Sequence, residues 1–325
     1  MSRPPQLALL IPAYNAAGYL PRLLESAARQ TEPFDEIWVY DDCSTDETST
    51  VAMRLGARVV RGDVNSGCSH GKNVLAARTN CEWVHFHDAD DELLPNFVEL
   101  ARRRMVDGRS DVVLFAYEER DDASGRHLAF KRFDPDLVRA DPRRYTILNQ
   151  VNPFCGLYRR DGLLRAGGHD EDPLVLYNED VAFHIRLAFA GLTFAAETEI
   201  SIVNHRRAES MSSSNRLKCL QAQYHVMRKT AGRDGSRPYA RDISRMLWMI
   251  VGGLAAELDW TTADLAAKLA VELDGLAAVP SGIVFRSLCR FSPYVAVRVR
   301  EWLIRCLRPR LRDGYPGWRA PFAII

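Results

Sequence analysis

The stretch Val84-His85-Phe86-His87-Asp88-Ala89-Asp90-Asp91 decides how this chain is read. An apolar run stops in three carboxylates within four positions. Clustered acids are unfavourable inside a strand, where like charges repel and aspartate fits the pleated backbone poorly. The acids therefore belong at the C-terminal end of a strand, the edge at which open α/β sheets bind ligands. Carboxylates gathered at such an edge have a cation to meet, and hard oxygen donors suit Mg2+ or Mn2+. The plainer alternative is that Asp90 and Asp91 cap a helix beginning near Pro95.

The sequence on either side repeats the pattern. Residues 7–11 are a short apolar run stopped by Pro12, as in a buried strand. Residues 17–29 read as a helix with Tyr19, Leu20, Leu23, Leu24 and Ala27 on one face. A second strand over 37–40 ends in Asp41 and Asp42, and Ser44-Thr45-Asp46-Glu47 opens the next helix with capping residues and acids. A third strand covers 57–60. Gly67 begins a loop that runs into a helix over roughly 72–79, before a fourth strand at 83–86. A helix over 95–105 and a fifth strand over 111–115 follow. Strands alternating with helices through short connections predict a mostly parallel α/β sheet covered on both faces. Right-handed crossovers then bring four polar strand ends to one edge: Tyr14-Asn15, Asp41-Asp42, Asn65 to Gly67, and Asp88 to Asp91.

Downstream, 117–133 read as a hairpin or long loop turning at Ala123-Ser124-Gly125, and 154–158 as a strand. Asn178-Glu179-Asp180 precedes a helix that Gly191 closes. A strand over 201–204 ends at His205, and from about 215 onward only helices are expected.

The bulk numbers narrow the class. The 325 residues, 47% apolar and 26% charged, describe an ordinary globular protein. A net charge of +1 offers no whole-chain basis for binding nucleic acid, but residues 281–325 carry nine arginines against Glu301 and Asp313. Such a basic tail on an acidic body suggests a surface partner. Cys43, Cys68, Cys81, Cys155, Cys219, Cys289 and Cys306 form no CxxC pair, so neither a zinc framework nor a dithiol site is expected, and a reducing cytosol fits. The N-terminus runs straight into a strand without a secretory signal, and the longest apolar run, 246–256, is too short to span a bilayer.

In order along the chain, Pro12-Ala13-Tyr14-Asn15, Val39-Tyr40-Asp41-Asp42-Cys43-Ser44-Thr45-Asp46, Asn65-Ser66-Gly67, Asp88-Ala89-Asp90-Asp91 and Glu179-Asp180 resemble family 2 glycosyltransferases. The resemblance covers about residues 6–210 and rests on the order of the five motifs. It implies the GT-A fold, a Rossmann-like sheet flanked by helices, in a domain of residues 1–212, with a helical extension over 213–325. It also implies an inverting enzyme that takes a nucleotide-diphosphate sugar, UDP-sugar being the expected donor, and uses a divalent metal.

Residue by residue, the resemblance implies that Pro12, Tyr14 and Asn15 shape the nucleoside pocket. Asp41 would hydrogen-bond the base with Asp42 beside it. Gly67 and Ala89 would contact the donor, and Lys72 would approach its diphosphate. Asp90 would ligate the metal, Asp88 would hold ribose or metal, and His205 would complete the metal's surroundings. Asp180 matches the catalytic base, with Glu179 beside it. Two departures bear on donor identity more than on reaction type. Ala16 and Ala17 stand where the family often has an acid, and Lys72 replaces an arginine, losing the bidentate fork while keeping the charge.

The chemistry explains these residue types. Loss of a diphosphate builds negative charge on the leaving group, which a carboxylate-held cation stabilises. Inversion needs an acceptor hydroxyl activated on the opposite face by a general base. Asp180 at a helix N-terminus is favoured in its ionised form by the dipole, so burial or Glu179 must restore its basicity. His169, Asp170 and Glu171 are assigned to the acceptor side. His70, His85 and His87 are read as structural or surface residues, and Cys155 as core. Arg206, Arg207 and Ser210 are read equally as phosphate contacts or as solvated loop.

Two other functions compete. A nucleotidyltransferase would need a Gly-rich phosphate loop near the first strand, which Pro12-Ala13-Tyr14-Asn15 is not. An inactive sugar-nucleotide binder is disfavoured by intact Asp88, Asp90 and Asp180. The expected partners are the nucleotide-sugar and a glycan or lipid-linked acceptor, with action at the inner face of the membrane. Ser292-Pro293 opens a helix with a Val295, Val299, Trp302, Leu303 and Cys306 stripe flanked by Arg298, Arg305 and Arg308. That helix either packs on the catalytic domain, the preferred reading, or lies on a membrane surface.

Overall fold

The structure, a computed structural model, describes residues 4–207, 215–279 and 282–316. Strand β1 (Leu7–Ala13) is buried at nearly every position, as a strand covered on both faces must be. It pairs in parallel with β2 (Glu36–Asp41) on one side and β4 (Trp83–Phe86) on the other, and β2 pairs in parallel with β3 (Arg58–Arg61). Helices α1 (Leu20–Ala28), α2 (Thr48–Arg54) and α3 (Cys68–Arg78) make the crossovers. The four strand ends lie on one edge, as the alternation predicts.

Beyond β4 the sheet becomes mixed. A two-residue strand β5 (Glu92–Leu93), α4 (Phe97–Asp107), β6 (Val112–Asp121) and β7 (His127–Lys131) follow. Then come the short helices α5 (Pro135–Ala140) and α6 (Pro142–Leu148), β8 (Gly156–Arg159), α7 (Arg160–Arg165), α8 (Glu179–Phe189) and β9 (Phe194–Arg206). The strand order is β3-β2-β1-β4-β8-β6-β9-β5, with β7 added to β6 as a hairpin. β8 enters antiparallel between β4 and β6, so the fifth strand of the sequence is not beside the fourth. β9 runs parallel to β6, and its far end reaches the ligand edge beside β5.

Asp91 has a different task from the capping read from sequence. The N-cap of α4 is Asn96, which makes no side-chain cap bond. The Asp91 carboxyl instead accepts from Asn204 Nδ2 and from the His205 N–H, both at 2.8 Å. It ties the end of β4 to β9, so a buried acid sets the distance between two site-bearing segments.

The chain divides into two compact units, Met1–Glu171 with Glu179–Ser210, and Asp172–Asn178 with Met211–Ile325. The sequence boundary at 212/213 lies outside the described residues, as does Ser210. The second unit holds α9 (Arg216–Ala231), α10 (Ala240–Ala256), α11 (Trp260–Asp274), α12 (Ile283–Phe291) and α13 (Pro293–Leu307). The face Ala263, Ala266, Ala267 and Ala270 lets α11 approach closely, and the Ser244 hydroxyl of α10 donates to Ala270 O at 2.9 Å.

α13 packs within this unit, through Ala296 and Val297 rather than through the apolar stripe read from sequence. Arg298 forks onto Asp264 at 2.7 and 2.9 Å. Buried Glu301 accepts from Arg305 at 2.8 Å and from Arg312 at 2.7 and 2.6 Å. Arg298 and Arg305 of the charged flank thus face inward, because they find carboxylates there, while Arg308, Val295, Trp302, Leu303 and Cys306 stay exposed. No helix among the described residues is long and apolar enough to cross a membrane.

Gly71 shows how tightly α3 lies on the sheet. A Cβ there would meet Tyr40 Cδ1 at 2.7 Å, and Tyr40 is only 4% exposed, so its ring has nowhere to go. Gly71→Ala is expected to destabilise the fold by about 1–3 kcal/mol, read as a lower urea midpoint with an unchanged slope.

Candidate active site

The first three strand ends are stitched to one another. Asn15 adopts a φ of 48° at the end of β1. Its N–H donates to Ser44 Oγ at 2.9 Å, and its Oδ1 accepts from the Thr45 N–H at 2.9 Å. Asp41 is fully buried: Oδ1 accepts from the Ser44 N–H at 2.9 Å, and Oδ2 accepts from the Ser49 hydroxyl and from Arg61 at 3.1 Å. Burial alone would raise this carboxyl, but the Ser44 and Ser49 hydrogen bonds and the Arg61 charge hold it below its usual value. Asp42 accepts from the Ser66 and Gly67 N–H groups, both at 2.8 Å. Gly67 can present its N–H this way because its φ of 89° is one that side-chain-bearing residues avoid. Both aspartates therefore hold the loops at the ends of β1, β2 and β3, while Tyr14 stands exposed beside them.

The second cluster joins β4, α3 and α8. Lys72 is 2% exposed, and its Nζ lies 3.6 Å from Asp180 Oδ1. Burial opposes its charge, yet Cys68, Asp180, Asp88 and Glu179 around it hold the ammonium above its ordinary range. Burial pushes the Asp88 carboxyl up to about 6; Lys72 opposes this, and Asp90 and Asp180 add to it. Asp180 is raised by burial against the pull of Lys72, and Glu179 is raised by burial and by Asp180. Burial therefore acts against the ionised form of Asp180 at the start of α8, the form that the helix dipole favours.

The third cluster surrounds Asp90. Its carboxylate pairs with Arg207, whose guanidinium lies 4.4 Å from the centre of the Tyr19 ring. Arg22 donates to the Asp90 backbone carbonyl at 2.5 Å and to Asp122 at 2.7 Å. The His205 ring faces Glu92 at 3.4 Å and Asp122 at 3.6 Å, and burial lowers its basicity. The structure thus brings Asp88, Asp90, Asp180, Glu179 and Lys72 together, and places His205 against a different pair of acids. Among the described residues no three His, Cys, Asp or Glu side chains are gathered as a metal cage. The neighbouring carboxyls of Asp88 and Asp90 nevertheless suit a cation, which would relieve the repulsion from Asp90 that adds to burial in raising Asp88.

The remaining sequence candidates have structural partners. Asn73 brackets residue 169 by donating to His169 O at 3.1 Å and accepting from its N–H at 2.8 Å. The His169 ring stacks on Phe183 at 3.7 Å. Asp170 pairs with Arg186 at 3.1 Å, and Glu171 accepts from Asn73 at 2.6 Å. His85 and His87 are buried and bonded to each other at 2.9 Å, and Cys155 is core, as expected. Sequence reasoning missed Arg22, Tyr19 and Asp122, and did not separate Arg207 from solvated loop. The available signal was that Arg207 leaves β9 at the same edge as the acids.

Residues 8–165 match the profile of Glycosyl transferase family 2. An uncharacterized glycosyltransferase of Rickettsia typhi is 30% identical over 224 residues, covering 67% of this chain and 70% of that protein. Poly(ribitol-phosphate) beta-N-acetylglucosaminyltransferase TarS of Staphylococcus aureus is 30% identical over 146 residues, which are 42% of this chain and 25% of TarS. The crystal structure of TarS residues 1–349 in complex with UDP-GlcNAc is similar with a TM-score of 0.69 at 19% identity, covering 96% of this chain and 93% of that one. The mannosyltransferase PcManGT from Pyrobaculum calidifontis, in complex with GDP-Man and Mn2+, is similar with a TM-score of 0.57 at 17% identity, covering 93% and 88%. At such identities the likeness establishes the fold, the GT-A architecture expected from the sequence. The chain spans from 25% to 88% of the length of the curated relatives it matches, and less than two thirds of TarS and several others.

Buried Glu179, next to half-buried Asp180, gives stability a pH dependence of definite sign. A carboxyl raised in the folded state binds its proton more tightly there. Its stabilising contribution is therefore complete below the ordinary value of 4.5 and is lost as pH rises towards about 8 for Glu179. Glu179→Gln is expected to melt with the parent protein at the acidic end and several degrees above it near pH 8, by differential scanning fluorimetry across that interval.

Proposed function

This chain belongs to glycosyl transferase family 2, and on that premise we propose that it moves a sugar from a nucleotide-diphosphate sugar to an acceptor hydroxyl with inversion. The donor is a UDP-sugar and the acceptor a glycan or lipid-linked glycan of the cell surface, reached from the cytosolic side. The observation that carries this reading is the approach of Asp180 to buried Lys72 at 3.6 Å, with Asp88 inside the same charge cluster. A base, a cation and the acids of the β4 end meet there at the ligand edge of the sheet. The UDP assignment is supported by TarS, which resembles this chain in both sequence and fold.

In this reading Pro12, Tyr14, Asn15 and the loops held by Asp41 and Asp42 enclose the nucleoside. Gly67 and Ala89 let the backbone come close to the donor. Lys72 faces the diphosphate from below while keeping Asp180 oriented. Asp90 and Asp88 would hold Mg2+ or Mn2+, which supplies charge to offset that of the departing diphosphate. For Asp90 to do so, Arg207 must leave it, and the freed guanidinium is then available to phosphate. His205 would join them by exchanging its Glu92 contact for the cation. Asp180 takes the proton of the acceptor hydroxyl as it attacks, and Glu179 keeps the local field unfavourable to a second free carboxylate, which raises the basicity of the pair.

Asp180→Asn is expected to bind donor nearly as the parent does while transfer falls about 10²–10⁴-fold, the range of a general base. Wild-type transfer by this variant would place the base elsewhere. Asp90→Ala is expected to abolish the stimulation of turnover by Mn2+, and unchanged metal dependence would sink that assignment. A thermal-shift screen of nucleotide-sugars with and without Mn2+ identifies the donor, since the ligand that binds the folded state raises its melting temperature by mass action.

A further inference from the structure

Helices α12 and α13 present an apolar surface that no other described residue covers. Ile283, Val284 and Phe291 of α12 are 86%, 76% and 92% exposed, and Leu307 and Leu311 beyond α13 are 75% and 55% exposed. Between the two helices runs a groove of about 520 Å³ lined by Phe285, Leu288, Val299 and Leu303. On α12 the only inward anchor is Cys289. Large exposed apolar patches on a folded chain mark an interaction surface.

The charges beside this patch indicate its partner. Arg298, Arg305 and Arg312 are consumed by Asp264 and Glu301. Arg286 and Arg290 flank the outer face of α12 at a four-residue spacing, and Arg300, Arg308 and Arg310 border the groove and its end. None of these five has a carboxylate partner among the described residues. The acids of this segment are buried Glu301, already shared by two arginines, and Asp313. A second copy docking face to face would set arginine against arginine. An anionic lipid surface instead matches both parts, with apolar side chains entering the acyl boundary and guanidinium groups at the phosphates. Nine residues of α12 cannot span a bilayer, so the helix lies in its plane.

We propose that the α12–α13 hairpin docks this chain on anionic membrane, with Ile283, Val284 and Phe291 as the inserting residues. The contact differs from the one read in sequence, which laid the α13 stripe on the membrane with Arg298, Arg305 and Arg308 near the headgroups: the inserting element is α12 and the end of α13.

The test is flotation of the full chain with phosphatidylcholine vesicles, with and without phosphatidylglycerol. Binding is expected only to the anionic vesicles and to weaken with salt. Val284→Ser with Phe291→Ser should abolish flotation, and Arg286→Gln with Arg290→Gln should weaken it about 25-fold, at about fivefold per arginine. These side chains are exposed, and an unchanged melting temperature will show that the variants fold. Failure of the parent chain to float, or equal flotation of the parent and both variants, would overturn the proposal. So would a dimer in vesicle-free solution that Val284→Ser with Phe291→Ser dissociates, since the patch would then be a contact between copies.

Discussion

An ammonium group with almost no access to water holds this site together. Lys72 neutralises a neighbourhood in which Asp88, Asp180 and Glu179 would otherwise repel one another. Its position follows from the packing of α3 against the sheet, where Gly71 sits directly on Tyr40. The same helix turn presents Asn73 to the loop at His169, so one short segment fixes the cation, the β2 contact and the approach to α8. Burying a charge is costly unless it is paired, and here the pairing residues are the acids to which the proposed reaction gives its chemistry.

Each acid at the sheet edge has a separate assignment, which the shared residue type conceals. Asp41 and Asp42 are consumed by loop hydrogen bonds, and Asp91 by β9. Asp88, Asp90 and Asp180 face other charges instead of backbone amides. The first group makes the cleft rigid, and the second leaves carboxylate chemistry available inside it. A cluster of acids is therefore better understood by what each oxygen already accepts than by its density.

The sequence shows the parallel half of the fold well, because β1 to β4 carry short apolar runs with polar ends and α1 has a clear apolar face; α3, Cys68–Arg78, lacks one and starts before the expected 72–79. It does not show that β8 enters between β4 and β6, since pairing between segments far apart in sequence leaves no local mark. The 201–204 strand is in fact β9, Phe194–Arg206, because Glu197, Thr198 and Glu199 interrupt its apolar pattern where the register shifts. α5 and α6 went unread although Asp134-Pro135 and Asp141-Pro142 are proper helix starts. Within the site, the acids and Lys72 are legible and the arginine counter-charges are not. Arg22 on a helix face and Arg207 at a strand exit could each have met many partners, and only the tertiary structure chooses Asp90. The helices of the tail are legible and the packed face of α13 is not, for the same reason: Asp264 and Glu301 turn Arg298 and Arg305 inward.

The pairing of Arg207 with Asp90 means that a cation arriving at this carboxylate enters by exchange rather than addition. Its apparent affinity is the difference between two ionic contacts, so weakening the resident one tightens the incoming one. A guanidinium displaced in this way would stay tethered close by, free to return to the same carboxylate. Under the proposed mechanism each cycle would then begin and end with the same internal ion pair, so that Asp90 would not be left uncompensated.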